Sequence, residues 1–370
     1  MLQQVHSTGI ESRSECEMCT VIVGHHGGLR LNPKPAIDST EADSKEGRGW
    51  ISTGSTHLHT VPARLVPKNV VSQPKWKLID DLLQKVLKWR VTTDDSHRPK
   101  GKQSRNEAMP REEWPGCQFP TLRNFAEAVA IVKSLVAEMG LKLGQRELER
   151  VTLWALDLSD AYRMLAVNRS KWWLQQFLWS DGVRLDYRCI FGSANLPGLF
   201  ERVTLFVLAV AAERIDAYDK QHPYSGARQQ WHAWREKWLG APQRDVWASI
   251  FIDDSFGLTP LAEGEPLRGA ADPEKPVTTA LTLEPDGSVK LWLFADSSRP
   301  QAHSTIVRET FKEAGWQISV AKQQLGFQLD LLGLGISSEG EGASTCQRQS
   351  ARGSEPISPR SSSRAGRTAR

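Results

Sequence analysis

The sequence predicts a mixed α/β (α+β) protein, and three stretches carry that expectation. An apolar run, Val151-Thr152-Leu153-Trp154-Ala155-Leu156, ends in Asp157. A second run, Ala248-Ser249-Ile250-Phe251-Ile252, reaches Asp253-Asp254 and resumes as Phe256-Gly257-Leu258, which reads as strand, tight turn, strand. Upstream of both, Leu122, Phe125, Val129, Val132, Leu135 and Met139 recur three or four residues apart. That spacing predicts an amphipathic helix over 121–139, with Gly140 where a C-terminal cap belongs.

The two strand ends matter because of what they bear. A carboxylate pair at a hairpin tip cannot bury itself cheaply without a cation. An isolated Asp-Asp is ordinarily a solvated acidic turn. Here Asp157 ends another strand, so carboxylates from two strands can converge on a divalent-metal site. Two-metal phosphoryl transfer needs that arrangement, with ions about 3.5–4 Å apart.

These residues also carry a family resemblance. Asp157-Leu158-Ser159-Asp160-Ala161-Tyr162-Arg163 resembles the first palm motif of reverse transcriptases. Phe251-Ile252-Asp253-Asp254 resembles their Tyr-x-Asp-Asp box, with Phe in place of Tyr. Between them, Phe191-Gly192-Ser193-Ala194-Asn195-Leu196-Pro197-Gly198-Leu199-Phe200 is similar to the loop and helix under the incoming nucleotide, in a form closest to DIRS-type retroelements. Gly315-Trp316-Gln317-Ile318-Ser319-Val320-Ala321-Lys322 resembles the fourth palm motif, and Leu331-Leu332-Gly333-Leu334-Gly335 a strand that grips the primer end.

The resemblance implies a right-hand polymerase of fingers and palm, with an antiparallel sheet and helices packed on one face; no thumb is recognisable after Gly335. Its implied function is RNA-directed DNA polymerisation, in which dNTPs are added to a primer 3′-hydroxyl on an RNA or DNA template. Asp157, Asp253 and Asp254 would hold two Mg²⁺ ions, Mn²⁺ being an alternative, with Asp254 closer to support. Lys322 would protonate the leaving pyrophosphate. Tyr162 would stand as a steric gate against a ribose 2′-hydroxyl, and otherwise packs at a strand-to-helix corner. Phe191 and Gly192 would border the nucleotide, the glycine letting backbone approach a base or sugar. The alternative is a truncated, inactive retroelement remnant that at most binds nucleic acid. A metal-dependent phosphatase or nuclease would use the same aspartates, but explains neither Tyr162 nor the 192–200 motif.

Taken in order, residues 1–60 show little periodicity and read as a poorly ordered leader. The resemblance spans 61–336, and 337–370 collapses into a Ser- and Arg-rich tail that reads as disordered. Residues 67–81 read as two short strands around a polar turn, similar to the fingers motif. Lys75 and Lys77 would then attract a triphosphate, or simply cover a solvated hairpin. Residues 91–118 read as a surface loop. Asp181-Gly182 between apolar-rich segments is a hairpin signal, and Pro197 opens a helix. Trp231, Trp234 and Trp238 fall on one helical face, as packing or as a base-stacking platform. A hairpin is expected over 278–293 and a helix over 303–314 ended by Gly315.

The bulk properties narrow the class. The 370 residues carry 47 Lys+Arg against 43 Asp+Glu, a net charge of +4, which only weakly favours nucleic acid as partner. Five scattered cysteines argue against a disulfide framework and for a reducing compartment. Cys16-x-x-Cys19 followed by His25-His26 suggests a zinc knuckle, but at a spacing too short for the familiar finger. No apolar run approaches the ~18–20 residues of a membrane span. An intracellular protein, cytoplasmic or nuclear, is expected.

Overall fold

Two short helices stand where the sequence offers almost no apolar periodicity. They are α1 (Gly27–Leu31) and α2 (Pro33–Asp43), the second with proline in its first turn. In the computed structural model, which describes residues 15–79, 82–110, 120–143, 151–223, 229, 233, 237, 247–260, 279–283, 289–293, 299–319, 322–331 and 334–338, they are held by few contacts. Leu29 and Ala36 bury themselves against Val70. The expectation of a poorly ordered leader is thus corrected for its described part. Its order comes from docking against Val70 and the segment around it, which a local pattern does not reveal.

Next, β1 (Lys68–Ile79) and β2 (Leu82–Thr93) pair antiparallel along their whole length, from Lys68 opposite Thr93 to Ile79 opposite Leu82. This corrects the reading of two short strands within 67–81, and of a loop starting at 91. Ser72-Gln73-Pro74 is not a turn but mid-strand. In a two-stranded ribbon every strand is an edge, the one setting in which a proline without an N–H is tolerated.

Helix α3 (Leu122–Leu143) begins at a reciprocal cap, the Thr121 hydroxyl accepting from Asn124 N while the Asn124 side chain accepts from Thr121 N. It runs through Gly140 instead of ending there. An interior glycine costs only about 1 kcal/mol, and Leu141-Lys142-Leu143 are good helix formers.

The central strand is β3 (Val151–Ser159), buried from Val151 to Leu158. The hairpin β4 (Gln176–Trp179) and β5 (Gly182–Leu185) turns at Ser180-Asp181, with Gly182 opening β5 opposite Trp179, where the sequence predicts a hairpin. Helix α4 (Leu196–Gln221) has Pro197 in its first turn. Then come β6 (Trp247–Phe251), β7 (Asp254–Pro260), the hairpin β8 (Thr279–Leu283) with β9 (Val289–Leu293), and α5 (Arg299–Glu313). Short strands β10 (Gln317–Ile318), β11 (Gln324–Gly326), β12 (Gln328–Leu331) and β13 (Leu334–Ser337) close the described chain. The tryptophan stripe, the 261–276 insert, Asp80-Asp81, the 285–287 turn and the tail lie outside the described residues.

The main sheet runs β10-β3-β7-β6, with β11 also on β3. On one face Trp154, Leu156, Leu158 and Ile250 pack against Phe200, Val203 and Val207 of α4 and Val307 and Phe311 of α5. On the other, Leu153, Ala155, Phe256 and Leu258 meet Phe125 and Val129 of α3 and the β12–β13 hairpin. Helices therefore cover both faces, not one as expected. The physical reason lies in β3, which is apolar at odd and even positions alike and so needs cover on both sides. No helix among the described residues is long and apolar enough to cross a membrane.

Candidate active site

The sheet register brings the acidic residues together. Asp157, near the end of β3, stands directly opposite Asp254, the first residue of β7, and Phe251 of β6 faces Asp254 from the other side. Directly opposed residues in an antiparallel pair point to the same face. Asp253 lies in the two-residue turn between, and its carbonyl accepts from Leu158 N at 2.8 Å. Ile252 in that turn has φ +57°. A β-branched residue there is an outlier that costs of order 1–3 kcal/mol, the kind of strain that gathers at functional sites.

Lys322 completes the cluster. Lys322 N donates to Ser319 O, and Ser319 N to Asp157 O. The Lys322 ammonium donates to Asp157 Oδ1 at 2.6 Å, about half exposed against a nearly buried carboxylate. Burial raises the Asp253 carboxyl, with the Asp157 charge adding to it and Lys322 and Arg90 opposing it. Asp254 is pushed up to about 6 by burial, then by Asp253 and Asp157, against Lys322. The Asp253 and Asp254 carboxyls, raised by burial and by neighbouring carboxylates and opposed by Lys322, form a site whose electrostatics call for more positive charge, and an all-oxygen donor set suits Mg²⁺.

Tyr162 is buried, its ring 4.9 Å from those of both Phe191 and Phe200. The close approach at Gly192 is to protein. At φ +119°, a Cβ there would sit 2.1 Å from the Thr93 carbonyl oxygen. That contact locks the 191–194 loop onto the end of β2. Asn106 reinforces it, donating to Gly192 O and accepting from Ala194 N. Lys75 and Lys77 lie on β1 near its turn, and their side chains fall outside the described residues.

Beside Phe191 opens a cavity of about 300 Å³ lined by Lys68, Arg48, Arg163, Asp43 and Asp160. Arg163 donates to both oxygens of Asp186 at 2.8 Å and to Asp43 at 3.1 Å. Arg48 bonds Asp160, which sits in the left-handed region at φ +53°. Lys68 is buried 3.9 Å from Asp186, and burial holds its ammonium below the usual lysine range. These cations, and Arg90 near Asp253, were missed from sequence. One signal existed: Lys88-Trp89-Arg90-Val91-Thr92-Thr93-Asp94-Asp95 nearly repeats Lys75-Trp76-Lys77-Leu78-Ile79-Asp80-Asp81. The second copy supplies Arg90, whose charge acts on Asp253.

No family model matches the sequence, and no curated protein matches it. Among solved structures, the chain is similar to the foamy viral protease-reverse transcriptase in complex with RNA/DNA hybrid, at 15% identity and TM-score 0.42 over 91% of this chain and 29% of that one. A selenomethionine-labelled mutant of the prototype foamy virus protein gives 15% and 0.46, over 92% and 31%. A form in complex with double-stranded DNA gives 14% and 0.43, over 92% and 38%. The chain thus spans about a third of the length of these proteins.

Proposed function

We propose that this chain is a reverse transcriptase-like nucleotidyltransferase, adding deoxynucleotides to a primer 3′-hydroxyl on an RNA or DNA template. The observation that carries the reading is the meeting of Asp157, Asp253 and Asp254 at adjoining strand ends with Lys322 bonded to Asp157. Asp157, Asp253 and Asp254 are the residues that would hold two Mg²⁺ ions. Such ions, when bound, activate the attacking hydroxyl and neutralise the triphosphate and leaving group. Lys322 Nζ, bonded to Asp157 beside the site, would give a proton to the leaving pyrophosphate as the α–β phosphoanhydride breaks and the new phosphodiester forms. Lys68, Arg48 and Arg163 around the neighbouring cavity are the cations we assign to the nucleotide phosphates. Tyr162, braced by Phe200, supports Phe191 at the rim of that cavity.

The test is primer extension on an oligonucleotide-primed RNA template with Mg²⁺ and dNTPs, run beside Asp253→Asn. Extension by the native chain, reduced at least a hundredfold in the variant with its fold intact, is the expected result. Folded protein that binds primer-template without extending it would favour the non-catalytic nucleic-acid-binding reading.

A further inference from the structure

A second cluster of potential metal ligands lies away from the acidic turn. His26, Asp94 and His97 each offer one ligand atom, and these atoms lie within 4.8 Å of one another. The His26 Nε2 to Asp94 Oδ2 distance is 2.9 Å, and the His26 and His97 rings meet edge-on at 5.7 Å. We propose that His26, Asp94 and His97 form a Zn²⁺ site that fastens the start of the described chain to the base of the β1–β2 ribbon.

The backbone around the three residues is anchored as a built site requires. Two ligands come from one tight turn: Ser96 N donates to Asp94 Oδ1, which leaves Oδ2 to face His26, and His97 N donates to Asp94 O. Asp94 N is itself tied to Pro67 O. The third ligand is fixed from the other side, since His26 N donates to Lys68 O and His25 accepts from Lys68 N. Asn106 bonds Ser96 within the ligand turn and Gly192 in the neighbouring loop. All three ligands are half-buried, a position from which an ion can enter.

A lone His–Asp hydrogen bond would be explained by pairing alone. A second imidazole nitrogen within 4.8 Å of the same carboxylate and of the first imidazole is a further ligand atom that the pairing alone does not require. Two neutral imidazole nitrogens and one carboxylate oxygen make a three-ligand set with a fourth position for water, the pattern of open zinc sites. The site also explains His26 better than the zinc-knuckle reading does. Cys16 is buried with Ala108, Trp173 and Leu174, and His25 is engaged by the backbone at Lys68 and Leu178. The ion would close a loop of 68 residues between His26 and Asp94. This inference does not depend on the polymerase reading.

The experiment is equilibrium dialysis of the full chain against Zn²⁺, with metal content and thermal unfolding measured for the native chain, His97→Ala, His97→Gln and Asp253→Asn. The native chain and Asp253→Asn should bind one tight ion and melt at higher temperature with zinc. Both His97 variants should lose at least tenfold in affinity and gain no zinc-dependent stability. The Co²⁺ form should show d–d bands without a thiolate charge-transfer band. Unchanged binding in the His97 variants overturns the site, as does loss of binding in Asp253→Asn. A thiolate band would move the metal to Cys16 and Cys19 and overturn it too.

Discussion

Burial and the negative charges of Asp253 and Asp157 hold the Asp254 carboxyl near 6, against an ordinary 3.8. The folded state therefore binds this proton more tightly than the unfolded state. By linkage, the penalty is absent below about pH 4, grows as pH rises between those two values, and is complete above about pH 6. Asp254→Asn removes it. Without added divalent metal, the variant should be more stable than the native chain at about pH 8, by on the order of 1 kcal/mol after solvent screening, or roughly 2–4 °C in Tm. Differential scanning fluorimetry across pH checks this, and a gap that did not shrink toward about pH 4 would point to another cause. The same variant should lose Mg²⁺-dependent activity. A site built from mutually repelling carboxylates trades stability for the capacity to hold cations.

At the scale of the element, the 191–194 loop is pinned where β2 ends. Gly192→Ala faces both φ +119° and the Thr93 carbonyl, whereas Gly101→Ala faces φ +71° with nothing within 4 Å. The first should cost about 2–3 kcal/mol and the second about 1 kcal/mol by urea unfolding. Equal costs would mean that the Thr93 contact yields easily. Elements are also where the sequence was most and least legible. The strands ending near Asp157 and at the Asp253-Asp254 turn were readable because long apolar runs ended in charge, and Asp-Gly marked the β4–β5 hairpin. The ribbon was misread because Pro74 mimics a turn signal and because two near-identical Lys-Trp segments compete for one role. Helices α1 and α2 were invisible because they present only Leu29, Ala36 and Thr40 as buried side chains, too few to set a period. Arg90 acts on Asp253 from β2, far away in sequence, which no local pattern reveals.

Across the whole molecule, one ion network joins parts distant in sequence. Arg163 binds Asp186 after β5 and Asp43 at the end of α2, and Lys68 at the start of β1 approaches the same Asp186. Arg163→Met would leave Asp186 buried with a poorer counter-charge, and should cost about 3–5 kcal/mol. A loss below about 1 kcal/mol in urea unfolding would show that Lys68 takes over the pairing. The same residues frame the cavity beside Phe191, so the leader, the ribbon and the central sheet meet there. The ribbon itself is twelve residues long in each strand and rooted at Lys68 and Thr93. At roughly 3.3 Å per residue it reaches about 40 Å from that root, so a tilt of about 10° sweeps its far end through some ~7 Å. It is a lever arm with its fulcrum at the cavity that Lys68 and Thr93 line: ångström-scale adjustments around Lys68, Asp94 and Gly192 are multiplied at the tip.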